Sequence, residues 1–374
     1  MSEAEDVLAR LRAEIDELDG ALIDLAARRQ ALVAEIGRRK RDRRQPTRDY
    51  SREREVHELA RRRAEARGLD PALADVLLDT LIRASLTSQE RDRLEASAAG
   101  AGRRSLVIGG AGRMGRWFVD YLGTQGWAVD IADPAGPVPG FPWHEDWREA
   151  ARDADLVVVA APLAVTAAIL DELATLRPAG LVMEIGSIKA PVAEPLARLV
   201  AAGVRVASIH PMFGPDTRLL SGRHVILVDA GDPEGLAEAR QLFQSTSASL
   251  AEMSLEAHDR LVAWVLGLSH ATNIAFFSAL ADCGQPAAEL AGYASTTFSA
   301  QLAVATRVAS ENPDLYFEIQ SLNPHGREPL EALARAAEEI RRTVSAGDGP
   351  AFADLMRSGA GYLAGEPGGE PPAS

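Results

Sequence analysis

Leu8, Leu11, Ile15, Leu18, Leu22, Leu25, Leu32 and Ile36 step by alternating threes and fours, and Arg29 fills the one place in the series that is not apolar. That period is the seam of a helix packed lengthwise on other helices, so it commits this stretch to one long helix with partners along it. A guanidinium on such a seam is costly unless an anion meets it, so Arg29 implies a buried acidic partner or an anionic ligand. Eleven residues at 100° each leave Lys40 roughly 20° from Arg29, so the two cations can converge on one bound molecule. Arg12 differs from Arg29 by roughly 100° and would more easily serve a site on another chain.

A second helix is expected to begin near Pro46 to Asp49, where Asp49, Arg52 and Glu53 share a face through i, i+3 and i+4 spacing. A third runs from about Pro71, and on it Leu81, Ser85 and Gln89 recur every four residues, an apolar face ending in a hydroxyl and an amide. This polar set holds no evident nucleophile, metal cluster or phosphate loop. It suits a reaction that needs charge stabilisation and conformational restraint alone. Leu11-Arg12-Ala13-Glu14-Ile15-Asp16, Arg28-Arg29, Lys40, Arg48-Asp49, Arg52-Glu53-Arg54 and Ser85 to Gln89 resemble the all-helical chorismate mutases. The resemblance implies that Arg29 and Arg52 hold substrate carboxylates, that Arg12 reaches across from a partner subunit, and that Lys40 and Gln89 contact the ether oxygen. It also implies that Asp49, Glu53 and Ser85 contact the ring hydroxyl and carboxylate regions. The basic run Arg38-Arg39-Lys40-Arg41 has acidic flanks and no interleaved aromatics, in a chain of net charge −14, so it does not read as a nucleic-acid surface.

From Ser105 the texture changes to short strands alternating with helices. Ser105 to Gly109 reads as a strand, and Gly110-Ala111-Gly112-Arg113-Met114-Gly115 then opens a helix. In the G-x-G-x-x-G pattern the first glycine permits the tight turn, the second lets backbone approach a pyrophosphate, and the third allows close helix-to-strand packing. Ala128 to Ala132 reads as a second strand and ends on Asp133, whose carboxylate would accept from a ribose 2′-hydroxyl and repel a 2′-phosphate. NAD is therefore favoured over NADP, with Gly110, Gly112, Arg113, Met114, Gly115 and Asp133 as the cofactor residues.

Leu156 to Ala161, Leu181 to Ile185 and Val204 to Ile209 supply further strands, and ligands bind beyond the carboxyl ends of strands in such sheets. His210 follows the last of them, in a turn bounded by proline and glycine. His210-Pro211-Met212-Phe213-Gly214-Pro215 resembles the prephenate dehydrogenases, and the similarity runs from about Ser105 to Tyr362. It implies that His210 accepts the hydrogen bond of the substrate's 4-hydroxyl while hydride leaves for NAD and carbon dioxide is lost. It also implies that Arg307 binds the ring carboxylate, with Lys189, His258 and His270 in supporting roles. Two departures stand out: Ala160-Ala161 occurs where the family commonly has a serine, and Ser299 where a close relative has a second arginine. They leave open a 4-amino ring in place of the 4-hydroxy ring, as in the 4-amino-4-deoxyprephenate dehydrogenases. Two rivals are a regulatory scaffold with a vestigial nucleotide fold, which the intact cations oppose, and a plain hydroxy-acid dehydrogenase, which leaves the amino-terminal helices unexplained.

The expected organisation is multidomain: an all-helical mutase domain (1–91), a linker (92–104), an α/β Rossmann-like domain (105–253), an all-helical dimerisation and substrate domain (254–364) and a disordered Gly/Pro-rich tail (365–374). Met1 to Asp19 lacks an apolar signal core, and no later segment reads as an uninterrupted apolar run of membrane length. The lone Cys283 excludes an intrachain disulfide. These features favour a cytoplasmic protein with small-molecule substrates, no nucleic acid, membrane or metal, and at least a homodimer.

Overall fold

The structure is a computed structural model that describes residues 3–43, 45 and 48–365. The expected helix start at Pro46 and the tail beyond Gly365 lie outside these residues. The chain divides into two compact units, one of residues up to 186 with 192–254, the other of 187–191 with 255 onward.

The first unit opens with three helices, α1 (Glu3–Asp42), α2 (Tyr50–Glu65) and α3 (Pro71–Ser97). Asp49 caps α2 by accepting from the Arg52 N–H, and Asp70 caps α3 with Pro71 in the first turn, where a missing N–H costs nothing. The polar text read as a linker from residue 92 is helical as far as Ser97, because Leu94 within it is buried against the sheet's core. A sheet follows: β1 (Arg104–Ile108), β2 (Ala128–Ala132), β3 (Trp143–His144), β4 (Leu156–Val159), β5 (Leu181–Glu184), β6 (Val206–Pro211), β7 (His224–Asp229) and β8 (Ser249–Ser254). Its strand order is β3-β2-β1-β4-β5-β6-β7-β8. All neighbours are parallel except β6 and β7. Helices α4 (Arg113–Thr124), α5 (Trp147–Asp153), α6 (Leu163–Leu176), α7 (Ala193–Ala201) and α8 (Pro233–Phe243) connect the strands. Val107, Ile131, Val158, Met183, Ile209 and Leu227 are buried almost completely, as expected of parallel strands covered on both faces.

The second unit is helical. The helix α9 (Leu255–Val262) passes through a π-helical segment (Ala263–Leu268) into α10 (Ser269–Ala281), followed by α11 (Ala287–Ala291), α12 (Thr296–Ala309), α13 (Pro313–Ser321), α14 (Arg327–Ala346) and α15 (Gly349–Leu363). Leu255–Ala281 is long and apolar enough by length and composition to cross a membrane, although His258, Asp259, Arg260, His270 and Asn273 interrupt its apolar run. Its length arises because three segments run on as one helix. Exposed Leu261, Trp264, Val265 and Ile274 lie along it.

Candidate active sites

Helix α3 packs against both α2 and α1, and its seam with α1 carries the polar residues. Leu81, Ser85 and Gln89 form an i, i+4 ridge on α3 that lies against Arg29, Gln30, Val33 and Gly37 of α1. Arg29 donates through Nη1 to the Ser85 hydroxyl (2.8 Å) and to the Leu81 carbonyl (3.1 Å), and Gln89 donates through Nε2 to the Val33 carbonyl (3.1 Å). Gly37 makes this approach possible, since a Cβ there would stand 2.9 Å from Gln89 Cγ. Partial burial pulls the Arg29 guanidinium below its ordinary pKa, and no carboxylate pairs with it among the described residues. A desolvated cation without a counter-charge is an anion site in waiting.

The remaining polar residues are only partly gathered. Asp49, Arg52 and Glu53 each make a contact close by in the sequence. Asp49 caps α2, and its carboxyl is held below the usual range by the Arg52 N–H, then by the Ser51 hydroxyl, with the Lys40 charge adding. Arg52 pairs with Glu55 (2.8 Å) on the exposed side, and Glu53 is clasped by Arg48 (2.9 Å), which also stacks on Tyr50. Glu53 further lines a polar cleft of about 470 Å³ with His57, Asp75 and Asp79. Arg12 lies about 25 Å up α1 from Arg29 by helix rise, so it does not join this set within one chain. Around it Leu11, Leu18 and Leu25 are 45%, 66% and 61% exposed, so the seam read from the sequence has no cover there.

In the sheet, the switch in strand order falls between β1 and β4, and the glycine loop opens there. Gly109 takes φ +84°, and a Cβ on Gly115 would stand 2.0 Å from the Gly109 carbonyl oxygen, so α4 can start against the strand only with glycine at 115. Gly112 caps α4 without a side-chain bond, leaving the first N–H groups of the helix open to an anion, with Arg113 and Met114 next along it. Asp133 accepts from the Ala111 N–H of the loop (3.0 Å) and from Ala135 (2.8 Å), so the residue read as the ribose acceptor borders the loop. This cradle, without side chains and closed by one carboxylate, fits an adenine dinucleotide.

His210 lies within β6, opposite Ile226 of β7, and not in a turn beyond the strand, because antiparallel pairing extends β6 through Pro211. It is 4% exposed. Sequence reasoning missed its neighbours Glu184 and Ser208. They are register partners, Glu184 at the end of β5 and Ser208 within β6, and Ser208 donates to the Glu184 carboxylate, which also accepts from the Gly186 N–H (2.7 Å). Ser208 and His210 share a strand face, so a buried ionisable group lies one strand from the histidine. The signal was present as a glutamate closing an apolar strand.

In the second unit, Arg307 is exposed in the last turn of α12, and its charge draws down the Tyr316 phenol, which burial raises overall. Tyr316 meets the His270 ring edge-on at 4.1 Å. Burial pushes the His270 pKa down to about 4, and its Nδ1 is buried with no hydrogen-bond partner among the described residues. Arg307, Tyr316 and His270 therefore form one group. Lys189 and His258 form another around Asp259, which accepts from the Lys189 and Ala190 N–H groups (2.8 and 2.7 Å) and lies 2.8 Å from His258 Nδ1. Ser299 is exposed on α12.

Comparison with known proteins matches residues 11–90 to chorismate mutase type II, 140–252 to the nucleotide-binding domain of prephenate dehydrogenase and 254–358 to its dimerization domain. The glycine loop and Asp133 lie upstream of the second match. A 4-amino-4-deoxyprephenate dehydrogenase of Streptomyces pristinaespiralis is 33% identical over 279 residues, covering 71% of this chain and 93% of the relative. The crystal structure of prephenate dehydrogenase from A. aeolicus in complex with hydroxyphenyl propionate and NAD+ shares the fold, with TM-score 0.56 and 19% identity over 70% of this chain and 98% of that one. A T-protein of Enterobacter agglomerans is 33% identical over 318 residues, covering 83% of this chain and 81% of the relative. The chain belongs to the T-protein family, enzymes that unite chorismate mutase and prephenate dehydrogenase in one polypeptide.

Proposed function

We propose that the two activities divide between the amino-terminal helices and the remainder, near the sequence boundaries 1–91, 105–253 and 254–364. Arg29, Lys40, Arg52, Asp49, Glu53, Ser85 and Gln89 form the mutase site, completed by Arg12 of a second copy. The desolvated, carboxylate-free Arg29 beside Ser85 and Gln89 carries this reading. In the rearrangement of chorismate the breaking C–O bond leaves negative charge on the ether oxygen, so donors at Lys40 and Gln89 act more strongly on the transition state than on the substrate. Arg29 and Arg52 hold the carboxylates and keep the side chain folded over the ring.

For the second reaction we infer that NAD binds at Gly110, Gly112, Arg113, Met114, Gly115 and Asp133, and it supplies the two-electron hydride acceptor when bound. His210 takes the proton of the 4-hydroxyl as hydride leaves and the carbonyl forms; loss of carbon dioxide sends the C–C bonding pair through the ring to that oxygen, which takes the proton back to give 4-hydroxyphenylpyruvate. Arg307 pairs with the ring carboxylate until it departs. The uncovered apolar seam of α1 and the exposed apolar positions of α9 and α10 support a homodimer. Sedimentation tests the dimer, and a monomer would remove Arg12 from the site.

A second reading has a specific observation behind it. Ala160 stands at the end of β4 beside the glycine loop where the family commonly carries a serine, and the Streptomyces relative acts on the 4-amino compound. Steady-state kinetics with prephenate and its 4-amino analogue decide between them by the ratio of kcat/KM.

A further inference from the structure

The segment 212–223 leaves the His210 strand and runs to β7, touching two different parts of the first unit on the way. At one end Asp216 lies 3.5 Å from Arg113, the first residue of α4, and the Thr217 carbonyl accepts from Trp117 Nε1 at 2.8 Å. At the other end the Ser221 hydroxyl accepts from Arg48 (3.1 Å), the residue that clasps Glu53, and the Leu220 N–H donates to Glu90 (2.9 Å). Glu90 is 3% exposed, and its other carboxylate oxygen accepts from the Ser247 N–H at 2.9 Å. It follows Gln89 on α3, so one helical turn presents an amide to α1 and a carboxylate to this segment.

We propose that Glu90 is a positioning residue shared by the two active sites: it fastens the segment from His210 to the helix that carries Gln89. A buried carboxylate bonded to two separate backbone stretches resists any displacement of one against the other, since a lost bond leaves charge without a partner. Ligand that tightens α1 against α3 therefore holds segment 212–223 in place in front of α4, where the dinucleotide binds, and the effect is reciprocal. Ser221 adds a second fastening through Arg48 and Glu53. The inference rests on the site assignments above.

The test measures NAD+ binding by the full chain, by calorimetry, with and without a saturating, unreactive bicyclic ether dicarboxylate that mimics the rearrangement. Binding of each ligand alone is measured first, and failure there refutes the site assignments and not the coupling. With both ligands binding, the wild type is expected to show a Kd for NAD+ about five-fold or more tighter in the presence of the dicarboxylate. In Glu90→Gln that factor falls to near one, and Ser221→Ala lowers it while leaving the kcat of each separate reaction within about two-fold. A residue that merely supports the fold would lower melting temperature and leave the factor alone. The proposal is overturned if the wild-type Kd is the same with and without the dicarboxylate, or if the factor survives unchanged in both variants.

Discussion

Substituting Gly115 by alanine tests the nucleotide cradle through a single methyl group. The added Cβ would stand 2.0 Å from the Gly109 carbonyl oxygen, 2.7 Å from its carbon and 2.9 Å from Gly110 Cα. All three are backbone atoms in a loop that already holds a positive φ, so no rotamer change can relieve the contact. The start of α4 must instead retreat from β1 by about 1 Å or more, at a cost in the upper part of the roughly 1–3 kcal/mol typical of overpacking. At about 2–4 °C per kcal/mol for a unit of this size, melting falls by roughly 4–10 °C. The same retreat draws the open N–H groups of α4 away from the bound phosphates, and a loss of about 2.7 kcal/mol there weakens NAD+ about 100-fold. Gly123 on the same helix is the control. Its Cβ would meet nothing within 4 Å, so Gly123→Ala is expected to stabilise by about 0.5–1 kcal/mol and leave binding alone. Thermal melts and NAD+ titration calorimetry read both variants. A Gly115→Ala protein with wild-type melting and affinity would refute the reasoning.

Replacing Arg29 by methionine removes the uncompensated cation and is expected to lower mutase kcat/KM by about 10²–10³-fold, with prephenate oxidation within about two-fold and stability unchanged or improved, read by coupled assay and denaturation. Asp133→Asn keeps one acceptor for the Ala111 N–H but removes the charge, so the ratio of kcat/KM for NAD+ over NADP+ should fall by about ten-fold or more. His270 has a pKa of about 4 in the fold against 6.5 in the unfolded chain, so the unfolded state takes up a proton first as pH falls. Stability it contributes is present above about pH 6.5 and declines toward pH 4 by at most about 1.4 kcal/mol per unit, less solvent screening. The difference in unfolding free energy between wild type and His270→Phe, followed across that window, should show this slope, and parallel curves would contradict it.

Periodicity made the amino-terminal helices legible, and the ridge Leu81, Ser85, Gln89 lies against Arg29 because i, i+4 spacing fixes one face of a helix. The same arithmetic gave no sign that Asp49, at a helix start, turns its carboxylate to the Arg52 N–H and caps α2. The linker was misread because Leu94 is a single apolar residue in polar text, and only the sheet's core explains it. Strands β1, β2, β4 and β5 announced themselves as buried runs. The strand β6 was cut one residue before His210 because a proline reads as a stop, whereas antiparallel pairing with β7 carried it on. Glu184 and Glu90 escaped notice for a common reason: the partners of a buried carboxylate are distant in sequence, and no spacing rule connects Glu90 to Leu220 and Ser247.

The most direct measurement follows reduced nicotinamide and residual substrate together, in wild type and His210→Asn, starting from chorismate or from prephenate. The wild type should form NADH from both. The variant should still consume chorismate at close to the wild-type rate, accumulate prephenate and form almost no NADH from either. NADH formation by His210→Asn at the wild-type rate would remove the histidine from the chemistry, and failure of the wild type to form NADH from chorismate while it oxidises prephenate would contradict the union of two activities in this chain.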